Sequence, residues 1–521
     1  MPRAFGFGSL FTPVSEPPVF SGAKLILAGL ALAMANFVVV LDTTIANVSV
    51  PHIAGGLAVS VSSGTWVITS YAVAEAICVP LTGWLAERFG TLRVFMTSLL
   101  GFGFFSAACG LSNSLEMLIA FRLGQGFCGG PLMPLTQTLM LRIFPKEHHA
   151  RAMALWAMTV VVAPIVGPIL GGWISDNWSW EWIFFINLPI VGAVVVAIVW
   201  LLRGTETETR ARPIDFTGLL LLIVWVGALQ MMLDKGRDED WFSSPFIVGC
   251  AVVAAIFFCL FVIWELTDDH PIVNIKVFRH PGFSASAIAL VLAFGTYFSS
   301  VVVIPQWLQT SLGYTATEAG MVMAFGGVLA LAGSPVVPGL MKRFDPRLLV
   351  FAGIAWLSVG AVLRSVLWSS GSTFWILALP QFIQGAGVSL FMVPLTTISL
   401  GSVLPSETAS AAGIANFGRT LAVAIATAVF TTFWSDQVTI DTAQMAARLN
   451  DPAGTMERLQ SQGLSMEQAR AAIAQIVQQQ GSATATSHLF MVSAVVLFLA
   501  AASIWIAPRP PRGTGTPAGA H

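Results

Sequence analysis

Fourteen apolar stretches, each about 18 residues or longer and almost free of charge, follow one another along this chain of 521 residues. At a rise of about 1.5 Å per residue, such a stretch crosses a hydrocarbon core of about 30 Å as a helix. The pattern predicts six spans at about 24–45, 64–85, 94–111, 115–140, 152–172 and 182–202. Two more follow at about 215–233 and 245–265, and a last six at about 281–305, 317–340, 347–368, 374–400, 409–434 and 486–507. The expected architecture is an all-α polytopic membrane protein. A tail and a six-helix half occupy 1–202, and a linker with two inserted helices occupies 203–266. A second six-helix half occupies 267–507, and a tail 508–521.

Polar positions add orientation. Arg88 and Arg93, then Arg142, Lys146 and Arg151, then Arg203, Arg210 and Arg212 fall in alternate loops. The same alternation continues with Lys276 and Arg279, with Lys342, Arg343 and Arg347, and with Arg509 and Arg512. Short loops on the other side hold only Lys235 and Arg237. Cytoplasmic loops carry the excess of basic residues, so both termini are expected inside. The long polar insertion 435–484 is then an outside loop. Within it, Ser465-Met-Glu-Gln predicts the start of an amphipathic helix, with Leu464, Ile473 and Ile476 on its apolar face. This segment is either a spacer or a docking surface for another protein.

Composition narrows the class further. A mean hydropathy of +0.80 with 10% charged residues excludes a soluble protein of this length. A net charge of -1 argues against nucleic-acid binding. Cys78, Cys109, Cys128, Cys250 and Cys259 all lie in apolar runs without metal-ligand spacing and read as packing residues. The first 22 residues lack the layout of a cleaved signal peptide. No Walker-type loop and no catalytic constellation occurs, so neither ATP-driven transport nor an enzyme is expected.

An internal repeat links the outer sets of six. Gly83-Trp-Leu-Ala-Glu-Arg-Phe89 is echoed by Gly339-Leu-Met-Lys-Arg-Phe344. Gln125-Gly126 followed by Pro134-Leu-Thr136 is echoed by Gln384-Gly385 followed by Pro394-Leu-Thr396. Such symmetry is typical of secondary transporters, whose substrate site lies between the halves. In the fifth span, Ala163-Pro-Ile-Val-Gly-Pro-Ile-Leu-Gly-Gly172 places Gly167 and Gly171 four apart on one face, where another helix can approach closely. Read alone it is a kinked packing helix; read with the repeat it is a transporter seam.

Ionisable groups in hydrocarbon are expensive and are functional candidates by default. Asp42, in span 1, reads as a carrier of exchangeable protons or as a structural acid held by Thr43, Thr44 or Asn47. Glu75 sits mid-span with no neutralising neighbour in sequence and reads as a proton or cation carrier. Arg122 must find acceptors or a carboxylate, because it cannot shed its proton. Pairing with Asp42 or Glu75 would make protonation compete with an ion pair. Its counterpart in the repeat is Gln381, and Arg419 is a second intramembrane cation. Glu87, Arg88 and Arg93, with Gly83 and Gly90, form either a topology signal or an ion-pair latch at the inner boundary. Candidate substrate-cavity residues are Trp66, Gln125, Phe298, Phe325, Gln381, Gln384, Phe391, Met392 and Arg419.

These residues resemble the major facilitator superfamily, in its fourteen-span drug:proton antiporter family of the EmrB/QacA type. Leu41-Asp-Thr-Thr-Ile-Ala-Asn-Val-Ser-Val-Pro51 is similar to that family's span 1 signature, and 83–93 to its loop motif, with Glu87 for Asp and Thr91 and Leu92 for basic residues. Arg122-Leu-Gly-Gln-Gly126 resembles the span 4 motif whose Arg is implicated in proton coupling. Gly167-Pro168 with Gly171-Gly172 resembles the span 5 antiporter motif, and Trp182-Ile-Phe-Phe-Ile-Asn-Leu-Pro189 the opening of span 6. Gly-Thr-Trp-Val-Ile-Thr-Ser70 and Ala-Leu-Trp-Ala-Met-Thr159 are most similar to the EmrB branch. The resemblance implies the major facilitator fold and a proton-coupled exporter of lipophilic or amphipathic drugs in the bacterial inner membrane. It would be driven by the proton gradient without a cofactor and would work with a periplasmic adaptor and an outer-membrane channel. An exporter of one narrow metabolite, such as a siderophore or amino acid, and a non-transporting scaffold are the alternatives.

Overall fold

The computed structural model describes residues 20–202, 205–210, 213–269, 271–448 and 452–508. Arg203, Arg212, Arg509, Arg512 and most of both tails lie outside these residues.

Helices form wherever the apolar runs are long enough, because in hydrocarbon every backbone group must be satisfied within its own segment. Spans 1 to 3 are Gly22–Gly56, Trp66–Phe89 and Thr91–Gly110. Span 4 is two helices, Leu115–Gly129 and Leu132–Ile143, and span 5 is His149–Asn177. Span 6 combines Trp182–Phe185 with Asn187–Leu201. Spans 7 and 8 are Phe216–Lys235 and Pro245–Thr267. Span 9 is Pro281–Leu312, and span 10 joins Ala316–Gly333 to the short Val337–Met341. Spans 11 to 14 are Pro346–Leu367, Phe374–Gly401, Thr408–Ala447 and Met466–Ser503. Twelve described helices are individually long and apolar enough to cross a membrane. The interrupted spans 4 and 10 complete the fourteen.

The interruption of span 4 has a local cause. Gly130-Pro131 separates its two helices, and proline has no N–H to continue the ladder. A methyl group on Gly130 would lie 3.0 Å from Cys78 Cβ and 3.1 Å from the Glu75 carbonyl oxygen, so span 2 passes close by.

The repeat is visible in how the two halves pack. A methyl group on Gly126 would run into the Tyr71 carbonyl oxygen, so span 4 touches the backbone of span 2. Its echo, Gly385, meets the Gly326 carbonyl oxygen in the same way, bringing span 12 onto span 10. The halves meet along two seams. Span 2 meets span 13, where a methyl group on Gly83 would lie 2.7 Å from Ser410 Cα and one on Gly413 3.0 Å from the Val79 carbonyl oxygen. Span 5 meets span 10, where Ile165 fills the space over Gly327.

The polar insertion is not a loop. Span 13 continues unbroken to Ala447, and span 14 begins at Met466, so much of 435–484 is an extended helical hairpin. From Ser435 to Ala447 there is no Gly or Pro to end a helix, and alanines favour its continuation. Ser465 caps the second arm as expected, with Gln468 completing the box. The arms touch where a side chain on Gly481 would meet Thr442 Cα at 2.7 Å. Asp441 takes an ion pair from His488 Nδ1 at 3.2 Å, and Trp434 Nε1 donates to Thr486 Oγ1 at 2.9 Å. The expected apolar face is only partly realised, since Ile476 is 57% exposed.

Candidate transport site

Span 1 carries Asp42 into the centre of the first half, where it is 2% exposed. Its partners come from other spans and not from Thr43, Thr44 or Asn47. Arg122 Nη1 donates to Asp42 Oδ2 at 2.6 Å, while Gln125 Nε2 and Asn187 Nδ2 donate to Oδ1 at 3.0 and 2.7 Å. Thr43 and Thr44 instead return their hydroxyls to carbonyls of span 1. Arg122 and Gln125 lie three apart, so span 4 offers both to one acid.

The Arg122 guanidinium is fully buried and held on several sides. Its Nη1 also donates to Gln125 Oε1 at 2.9 Å, and its Nε to the Val67 carbonyl oxygen at 3.1 Å. The Tyr71 ring lies 4.3 Å from its centre. Asn187 is bound in turn to Ser106 Oγ at 3.0 Å. Breaking a buried pair by removing one partner costs about 3–5 kcal/mol, so the pair ties spans 1, 4 and 6 together. Asn187 and Ser106 were not singled out from the residue pattern, because neutral amides and hydroxyls in an apolar run carry no charge signal.

The glycines of span 5 press on this same helix. A methyl group on Gly167 would lie 2.7 Å from Thr44 Cβ, and one on Gly171 would lie 3.0 Å from the Ile45 carbonyl oxygen. Asn36 Nδ2 donates to Thr159 Oγ1 at 2.6 Å along the same contact. The seam thus lies within the first half, two residues from Asp42. Pro168 is half-buried beside it, and Gly172 faces open space.

Glu75 stands apart from Asp42. It is half-buried on span 2 and makes no hydrogen bond or ion pair with a described residue. Arg419, fully enclosed on span 13, has its guanidinium 5.3 Å from the Trp156 ring and 5.1 Å from the Phe294 ring, with Nη2 against Met133 Sδ.

The loop at the basic end has a partner that the motif does not show. Glu206, in the linker after span 6, is fully buried. Its carboxylate accepts from the backbone N–H groups of Leu92 and Arg93 at 3.0 and 2.9 Å, capping span 3. Gly90 turns the chain there at φ +97°, and a side chain on it would collide with Glu206. Arg93 Nε lies 4.0 Å from the same carboxylate, and Arg142 Nη2 donates to the Glu206 carbonyl oxygen at 3.0 Å. The Arg210 N–H donates to the Glu87 carbonyl oxygen at 2.8 Å, and Arg88 lies over Trp84 at 5.7 Å and Phe89 at 5.6 Å. A cavity of about 980 Å³ opens beneath, lined by Glu87, Thr91, Arg142, Arg210, Thr397 and Thr408.

A second, small cavity of about 20 Å³ lies between the halves, room for about one water. Arg419 lines it. Of the other cavity candidates, Gln125 belongs to the Asp42 network, and Trp66 packs under Lys235 Nζ at 5.5 Å. Phe298 stacks on Phe294 at 4.2 Å, and Phe325 packs on Phe374 and Trp375. Phe391 and Met392 are buried in the hydrophobic core. Gln381 accepts from Arg364 Nη1 at 3.1 Å, and Gln384 is buried near Gly360. Arg364 itself escaped the residue reading, because it falls in the last turn of span 11 where a charge looks like a boundary.

Two repeated six-span halves with two inserted spans, and charges buried within them, are the layout of a secondary transporter. The sequence model of the Major Facilitator Superfamily matches residues 32–427, and the chain belongs to that superfamily, in the branch of the EmrB multidrug export proteins. It is 44% identical over 498 residues to the multidrug export protein EmrB of Escherichia coli K12, covering 95% of this chain and 97% of that one. It is 45% identical over 503 residues to EmrB of Haemophilus influenzae, covering 96% and 98%. A crystal structure of a double-tryptophan mutant of XylE shares the fold with a TM-score of 0.60 at 11% identity, covering 94% of this chain and 97% of that one.

Proposed function

We propose that this multi-pass membrane protein exports lipophilic or amphipathic compounds from the bacterial inner membrane in exchange for protons. Both termini are cytoplasmic, the proton gradient supplies the energy, and no cofactor takes part. The hairpin at the ends of spans 13 and 14 is the surface on which a periplasmic adaptor, and through it an outer-membrane channel, would dock. Its relatives' names as multidrug export proteins support the substrate class.

The observation that carries the coupling is the 2.6 Å ion pair between Arg122 and Asp42, buried and cross-linked to Gln125 and Asn187. A proton on Asp42 removes the charge that holds Arg122, and span 1 is freed from spans 4 and 6. Span 1 is keyed to span 5 through Thr44 and Gly167, and span 5 to the other half through Ile165 and Gly327. Protonation therefore biases the two arrangements of the halves, as an exchanger requires. Glu75, half-buried and unpaired, is the second proton carrier.

Substrate-dependent proton flux in proteoliposomes tests this. Export that runs down an imposed pH gradient, with protons moving the opposite way, is the expected result. Drug movement indifferent to the gradient would reject the coupling.

A further inference from the structure

Four residues that line the small cavity between the halves each carry a buried polar atom without a hydrogen-bond partner among the described residues. The atoms are Arg419 Nη1, Trp156 Nε1, Ser286 Oγ and Ser399 Oγ, from spans 13, 5, 9 and 12. All four residues are less than a tenth exposed. Buried polar groups are almost always satisfied, so four orphans on residues around one void mark a place where a partner arrives. Two of them, the guanidinium and the indole, can only donate, and the two hydroxyls can do so by rotation.

The charge at this place is also set by the chain. Arg419 is gripped between the Trp156 and Phe294 rings and needs no carboxylate to fix its direction. Glu75 is close enough to act on its charge, yet no ion pair joins them. Asn416 and Gln137 line the same wall but satisfy each other at 2.7 Å. What is left open is a preorganised set of donors around a cation.

We infer that this cavity is the receptor for an oxygen-anion group, a carboxylate in the first instance, at the polar end of an amphipathic substrate. Arg419 and Trp156 donate to it directly, and Ser286 and Ser399 complete its shell. In the present arrangement the space holds about one water. The group therefore enters when the halves part and is enclosed when they close. This deepens the exporter reading and rests on it, but it is tested by binding alone.

The test uses full-length protein in nanodiscs of zwitterionic lipid, with protein-free nanodiscs as blank. The probes are 1-pyrenebutyrate and the neutral 1-pyrenebutanol, which share the apolar body. The acid should bind about tenfold or more tightly than the alcohol, as charge-assisted hydrogen bonds require. Arg419→Gln should bring the two affinities together. If that variant is not monodisperse, Trp156→Phe keeps a ring and removes the N–H, and should weaken the acid about threefold while sparing the alcohol. No preference in the wild type, or a preference that survives both substitutions, would overturn the inference. Adding phosphatidylglycerol to the nanodiscs separates a lipid headgroup from a soluble acid: competition by the lipid would overturn the substrate assignment. Proton flux driven by a cationic dye is measured separately, so failure of binding here and failure of the exporter reading are distinct results.

Discussion

Each half buries a guanidinium beside the repeat position that Arg122 and Gln381 share, and they treat it differently. In the first half Arg122 faces Asp42 directly, with Gln125 and Asn187 bracing the acid. In the second, Gln381 stands at the position of Arg122, and the guanidinium comes from Arg364 on the neighbouring span. It bonds Gln381 Oε1 and lies 4.6 Å from the Phe490 ring, with no carboxylate against it among the described residues. One half pairs its guanidinium with an acid; the other pairs it with a neutral amide. On the proposed reading, the same scaffold supplies a switch on one side and a brace on the other.

Replacing the switch should have the largest effect. Asp42→Asn should abolish substrate-driven proton flux and lower thermal stability by about 3 kcal/mol, since Arg122 is left without its acid. Unchanged flux would remove Asp42 from the coupling. Next comes the seam that carries the switch outward. Gly167→Leu cannot fit beside Thr44 and should cut export at least about tenfold, with an overpacking cost of about 1–3 kcal/mol; export at the wild-type rate would make the seam ordinary packing. Arg364→Gln sharpens the contrast. It should cost about 1–3 kcal/mol through the lost charged hydrogen bond and leave proton stoichiometry as it was. A changed stoichiometry would show that the second half takes part in coupling after all. The smallest expected effect is at the linker after span 6. Glu206→Gln keeps the shape but loses the charge that caps span 3, costing about 0.5–2 kcal/mol in unfolding measurements.

How much of this is legible in the residues alone depends on whether charge or only polarity marks the position. Hydropathy delivers the fourteen spans, because a membrane forces apolar length on every crossing. Asp42 and Arg122 stand out, because ions in hydrocarbon are rare. Asn187 does not, although it holds Asp42 as closely as Gln125 does. Glu206 is hidden for the opposite reason: a carboxylate in a polar linker looks solvated until the chain folds it beneath span 3. The second arm of the hairpin is legible from the Ser465 capping box, but the first is not, because a polar helix lacks the apolar stripe by which helices are read. Among the span 5 glycines, spacing identifies Gly167 and Gly171, but only packing separates them from Gly172.

The hairpin has a practical consequence. Its second arm is continuous with span 14, so a label fixed just before that arm would report the tilt of that helix. The turn at Gly463, held at φ +95° with open space around it, is a natural place to graft a rigid fusion or a binder epitope. Such a graft would give a featureless bundle the mass and asymmetry that particle alignment needs, and would turn that arm into a pointer for the conformational state.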